Sequence, residues 1–135
     1  MNDYLGTWKL ETNENFDNFL KYIGYSWLKR KAALLADIDA SFIQKNSKFF
    51  RQINSTFLKE EEEYIFNNEY YETPYKLYKK HGIINDKVIT EVKKVSNPNI
   101  TWREEVYIIN NKLILIRFWL EREKIQVCKQ NFVRY

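Results

Sequence analysis

From residue 38 onward the chain is a succession of short stretches rich in β-branched and aromatic residues, each cut by a polar turn. Stretches 40–44, 48–56, 61–71, 76–84, 87–95, 100–109, 112–121 and 124–133 read as strands, because such side chains pack well on a pleated surface. Asn46-Ser47, Asn85-Asp86, Asn97-Pro98-Asn99 and Asn110-Asn111 separate them, and asparagine tolerates the left-handed backbone that tight hairpins need. Ahead of this run the period changes. Phe16, Phe19, Leu20 and Ile23 fall on one face of a helix over 15–23 closed by Gly24, and Ser26 can cap a second helix over 26–36. With 4–10 added as an opening strand, the order is one strand, two short helices, then hairpins without interruption. About nine or ten antiparallel strands are enough to close a barrel around a small ligand, with the helical pair as a lid over its mouth.

Composition narrows the class. A chain of 135 residues with no long Pro/Gly/Ser stretch is expected to be one domain, residues 1–135, and 44% apolar residues can furnish its core. No basic-then-apolar leader opens the sequence, and the most apolar stretch, near 112–120, carries Arg117 and is far shorter than a bilayer span. The single Cys128 has no internal disulfide partner, in keeping with a reducing compartment, so the cytoplasm is expected, with the nucleus as a second location. The net charge of +4 is spread among acidic residues, so charge alone does not argue for nucleic acid.

Tyr4-Leu5-Gly6-Thr7-Trp8-Lys9-Leu10, followed by Asn15-Phe16-Asp17, Lys21 and Gly24, resembles the opening of the cytosolic fatty-acid-binding and retinoid-binding proteins. The similarity continues through Trp27-Leu28-Lys29-Arg30-Lys31, Ser55-Thr56-Phe57 and Val127-Cys128-Lys129-Gln130-Asn131-Phe132. It implies an all-β fold, a ten-stranded antiparallel up-and-down barrel of clam shape capped by a two-helix lid. It also implies a monomeric carrier that holds a long-chain fatty acid or similar hydrophobic ligand in a partly wet cavity. In the acid-binding members an Arg-x-Tyr pair on the last strand holds the ligand carboxylate, since a buried anion needs charged partners to offset desolvation. Gln130 and Phe132 stand there in this chain, which is closer to the retinol-binding members, whose ligand is a neutral alcohol. A second donor of the family falls near Glu104 and Val106, neither of which supplies it.

Strand parity supplies substitutes. Arg51 shares a face with Ile53, Ser55 and Phe57, positions that face the cavity in the resembled family. Arg117 falls with Leu115 and Trp119, and Glu104 with Trp102 and Val106, so an internal Arg117–Glu104 pair is expected. Arg51 or Arg117, together with Gln130, would then replace the missing clamp. Phe16, Leu20, Tyr25 and Tyr75 complete the expected lining, and Phe57 sits at the portal of the family. Lys21, Lys29, Arg30 and Lys31 are either a solvated helix face or a basic patch for transient contact with anionic membranes or for nuclear entry. Glu60–Glu63 reads as a solvated edge, and the 119–124 hairpin reads as longer than usual.

Catalysis has no assembled constellation. His81 is the one histidine and reads as an ordinary strand residue, Cys128 has no Cys-x-x-Cys partner, and the contiguous glutamates lack calcium-loop spacing. No enzyme activity, cofactor or metal is expected. The alternatives are a retinol-like or other neutral-lipid carrier and, in another class, a nucleic-acid- or protein-binding β-barrel. A pI near 9.0 and ten tyrosines favour the last only weakly, and no RNA-binding signature accompanies them, so no nucleic-acid partner is expected.

Overall fold

The computed structural model describes residues 2–56 and 58–135. A 3₁₀ turn at Asn2–Tyr4 leads into β1 (Gly6–Glu14), followed by α1 (Phe16–Tyr22) and α2 (Trp27–Leu35). The remaining strands are β2 (Asp39–Lys45), β3 (Lys48–Asn54), β4 (Lys59–Tyr64), β5 (Tyr71–Glu72), β6 (Leu77–Ile84), β7 (Lys87–Lys94), β8 (Thr101–Ile109), β9 (Lys112–Glu121) and β10 (Lys124–Arg134). All ten form one antiparallel sheet in the order β4-β3-β2-β1-β10-β9-β8-β7-β6-β5. Each strand therefore lies beside its sequence neighbour, except that β1 and β10 meet and β4 and β5 do not.

Four hairpins turn on two-residue loops with both residues left-handed: Asn46-Ser47, Asn85-Asp86, Asn110-Asn111 and Arg122-Glu123. This geometry matches the right-handed twist of the flanking strands. The last of these corrects the expected long hairpin at 119–124, because Glu121 pairs directly with Lys124. The expected strand over 61–71 is also corrected. The chain leaves β4 at Tyr64, passes Asn68 in a left-handed conformation and resumes as the two-residue β5.

No ladder joins β4 to β5, and tyrosines span the gap instead. The Tyr71 hydroxyl donates to the Glu63 carbonyl at 2.7 Å, and the Tyr75 hydroxyl accepts from the Glu61 amide at 2.9 Å and donates to the Glu61 carbonyl at 3.4 Å. Both phenols thus satisfy backbone groups on the edge that β4 turns away from β3.

Ser26 caps α2 by accepting from the Lys29 amide. The apolar face predicted for α1 is buried: Phe19 lies edge-on to Trp102 and Trp119, and Tyr22 stacks on Trp119. No residue of α2 is fully buried. Apolar side chains collect in two clusters. One gathers Tyr4, Trp8, Phe42, Val88, Val106, Leu113 and Phe132 inside the barrel, and the other fastens α1 to Val92, Trp102, Trp119 and Cys128.

Candidate functional site: an ionic chain beneath the helical lid

A cavity of about 450 Å³ lies between the helices and the inner face of the sheet. Phe16, Phe19 and Leu20 of α1 wall it with Ile38, Ile53, Leu77, Trp102, Leu115 and Phe132. Its exposed liners mark the mouth: Gly24 and Tyr25 between the helices, Lys29 at the start of α2, and Leu58, Lys76 and Ser96 in loops.

Charged side chains interrupt this apolar wall at positions that strand alternation turns inward. Arg51 donates to Glu104 at 2.6 Å, and Arg117 lies 3.8 Å from the second oxygen of the same carboxylate. Arg117 also donates to the Gln130 side-chain carbonyl at 2.6 Å, and the Gln130 amide donates to Asn13 at 2.8 Å. On the other side Arg51 is 4.0 Å from Glu62, which accepts from Lys79 at 2.5 Å. The result is one chain, Lys79–Glu62–Arg51–Glu104–Arg117–Gln130–Asn13, whose seven members come from seven different strands. Arg51, Lys79, Glu62 and Glu104 keep no more than 9% of their side-chain surface exposed.

Burial alone works to raise the Glu104 pKa, but Arg51, Arg117 and Lys79 outweigh it and bring the carboxyl down to about 2. Glu104 is therefore ionised at neutral pH. Burial is also the largest influence on Lys79. Together with the nearby Arg51 it lowers the ammonium pKa against the opposing pull of Glu62 and Glu104. At the mouth, burial and the Glu62 charge raise the pKa of Glu60.

A second buried chain adjoins the first. His81 Nε2 is 2.8 Å from the Tyr71 hydroxyl and Nδ1 is 2.8 Å from the Thr90 hydroxyl. Because the Tyr71 proton goes to the Glu63 carbonyl, Nε2 donates to Tyr71, and in the neutral imidazole Nδ1 then accepts from Thr90. Burial, then Lys79 and Arg51, push its pKa down to about 3. The nearby Tyr64 hydroxyl is buried without a hydrogen-bond partner among the described residues.

Most of the expected lining meets in this cavity: Phe16, Leu20, Tyr25, Arg51, Ile53, Tyr75, Glu104, Arg117, Gln130 and Phe132. Val106 does not. It is buried in the inner apolar cluster and is not among the residues that line the cavity. Ser55 is not part of the lining either, and its hydroxyl accepts from the Leu58 amide. Phe57 lies outside the described residues.

The acidic run is corrected too: Glu61 is exposed, while Glu62 points inward and Glu60 lines the mouth. Alternation within β4 carried that signal, and within β6 it placed Lys79 and His81 on the inner face. His81 is accordingly a buried hydrogen-bonding residue. In the basic group Lys21 and Lys31 are exposed and Lys29 borders the mouth, but Arg30 is tied to Asp17 at 3.0 Å and to the Tyr25 carbonyl at 2.9 Å.

No family model matches the chain. Fatty acid-binding protein homolog 7 of Caenorhabditis elegans is 29% identical over 126 residues, covering 93% of this chain and 85% of that protein. Other relatives of the same description align over shorter parts of their length, such as 56% of a fatty acid-binding protein of Clonorchis sinensis. Apo lipid binding protein 8 of C. elegans superposes with a TM-score of 0.85 at 24% identity, over 100% of this chain and 97% of that one. A Schistosoma mansoni fatty acid binding protein in complex with arachidonic acid superposes at 0.81 and 19% identity, over 100% and 98%. In fold the chain matches solved lipid- and fatty-acid-binding proteins, and along 93% of its length its sequence is similar to a fatty acid-binding protein homolog.

Proposed function

We propose that this protein is a non-enzymatic carrier that holds a long-chain fatty acid, or an amphiphile of the same kind, with its chain along the apolar wall and its head on the ionic chain. One observation carries the reading: along the ionic chain inside an apolar-walled cavity, three cations (Arg51, Lys79, Arg117) face two carboxylates (Glu62, Glu104). A single ligand carboxylate balances that set. Arg117 has the more exposed side chain of the two arginines in the ionic chain, 16% against 9% for Arg51, and it lies 4.9 Å from the Phe19 ring, so it meets both the cavity and the lid. Buried ions are costly unless compensated, which favours a ligand that supplies the missing charge.

Tyr25 and Lys29 at the mouth, with the exposed Trp27, Leu28 and Lys31 of α2, support brief docking on anionic membranes. A monomer working in the cytoplasm, with access to the nucleus, fits the same reading. No described helix is long and apolar enough to cross a membrane.

Organic extraction of the purified protein, followed by mass spectrometry, is expected to release long-chain acids. A fluorescent fatty-acid probe should be displaced by oleate at concentrations about tenfold or more below those needed for the matching alcohol, a difference of ~1.4 kcal/mol or more in head-group binding. Equal displacement by acid and alcohol would remove the carboxylate from the proposal, and failure of both would remove the carrier.

A further inference from the structure

We propose that Lys79 is a carbonyl-capturing residue: through its Nζ the cavity binds long-chain aldehydes as a reversible imine, with Glu62 as the paired counter-ion. The inference rests on the carrier reading above, since the aldehyde's chain must occupy the same apolar cavity.

Four lysines line that cavity, and three of them, Lys29, Lys76 and Lys94, differ in kind from the fourth. Lys29 and Lys76 are exposed at the mouth, and Lys94 spends its ammonium on the Ile23 carbonyl at 2.7 Å. Lys79 is 5% exposed, stands on the inner face of β6, and has Glu62 as its one hydrogen-bond partner among the described residues. An ammonium has three donor positions, so a single partner leaves two directions uncommitted beside the cavity. Arg51 lies close enough to oppose a second positive charge there, and burial acts in the same sense. A desolvated amine with a cationic neighbour is the arrangement that makes lysine nucleophilic toward carbonyls.

The groups present balance the reaction. The Lys79 ammonium passes one proton to Glu62, and its freed electron pair attacks the aldehyde carbon, forming the C–N bond while the carbonyl π pair moves to oxygen. A proton shift from nitrogen to oxygen gives the neutral carbinolamine. Glu62 returns its proton to the hydroxyl, which leaves as water as the nitrogen pair closes the C=N bond. Ammonium plus aldehyde has become iminium plus water, and the cation again faces the Glu62 carboxylate. No oxidant or reductant takes part. Arg51, 4.0 Å from Glu62, holds that carboxylate in place through the cycle.

Incubating the protein with hexadecanal and cyanoborohydride, then digesting and analysing by mass spectrometry, tests this assignment. The reduced adduct is expected predominantly on the peptide carrying Lys79, suppressed at least tenfold by excess oleate and lost in Lys79→Arg, with labelling of surface lysines unaffected by either. Circular dichroism and thermal unfolding establish that the variant is folded, and Glu62→Gln, which removes the proton relay, should slow adduct formation. Labelling spread over exposed lysines without protection by oleate overturns the proposal. So does displacement of a fluorescent fatty-acid probe by hexadecanal with no adduct at Lys79, a result that leaves the carrier reading intact. If neither hexadecanal nor oleate displaces the probe, the carrier reading fails and the proposal falls with it.

Discussion

The two sides of the sheet are built on opposite terms. Between β9 and β10 ten residue pairs run in register from Lys112↔Val133 to Glu121↔Lys124, and a tight turn closes the hairpin. Between β4 and β5 there is no pair at all, and two phenols and the Lys79–Glu62 salt bridge cross the gap instead. Backbone bonds cooperate along a ladder, whereas each side-chain bond across the gap depends on its own rotamer and protonation state. The barrel is therefore expected to yield on its β4/β5 side first, where the Lys79–Glu62 salt bridge crosses the gap.

The largest effect should come from the residue that ties the two sides together. Glu104 on β8 anchors Arg51 on β3 and adjoins Arg117 on β9, so Glu104→Gln leaves the nearly dry Arg51 guanidinium with only Glu62, 4.0 Å away, and should lower unfolding stability by roughly 3–5 kcal/mol in urea titration. A loss below about 1 kcal/mol would mean that the chain does not bridge the barrel.

The next effect is one of pH. With its folded pKa near 3 against an ordinary 6.5, His81 stays neutral in the fold while the unfolded chain takes up a proton below pH 6.5. Its contribution is fully present above that value and is lost as pH falls toward 3. The slope is up to ~1.4 kcal/mol per pH unit, or about 2 kcal/mol between pH 7 and pH 5. His81→Gln should flatten that slope. Glu104, depressed to about 2, acts only in a lower window, from the ordinary carboxyl range downward.

Tyr71→Phe strips a bond from the Glu63 carbonyl and another from His81, which should cost roughly 1–2 kcal/mol. Its sharper readout is local: amide exchange in β3 and β4 should accelerate while β9 and β10 keep their protection. Uniform acceleration in all four strands would show that the gap is not a separate weak point. On the well-laddered side, breaking the exposed Lys112–Glu11 pair at 2.9 Å with Lys112→Ala should change stability by less than about 0.5 kcal/mol.

Much of this arrangement is legible in the residues, and where it is not the causes are specific. Parity placed Arg51, Glu104 and Arg117 together because β-strand side chains alternate strictly and hydrophobic neighbours reveal which face is inward. The same rule applies to Glu60 and Glu62, but four consecutive glutamates hide their alternation behind a uniform charge. Lys79 and His81 have the same difficulty: alternation puts them on the face of Leu77, but a charged and a polar side chain hide that face, and their partners Glu62 and Thr90 are distant in sequence. Asn67-Asn68 within 61–71 was a turn signal set against strong strand propensity on both sides, and the turn prevailed. Arg122-Glu123 left no such trace, since neither residue favours the left-handed region it occupies; the ladder on either side imposes it. Val106 shows the limit of parity, which gives the face of a strand but not the depth along it.

The pairing of β1 with β10 bears on how the protein is made. Trp8 faces Arg134 and Glu14 faces Lys129, so the first strand synthesised shares a seam with the last. Until Lys124–Arg134 has left the ribosome, β1 has only β2 beside it, through four pairs, and its other edge is bare. Contacts this distant in sequence form late and slowly. The ionic chain is likewise completed last, because Gln130 and Asn13 meet only when that seam closes.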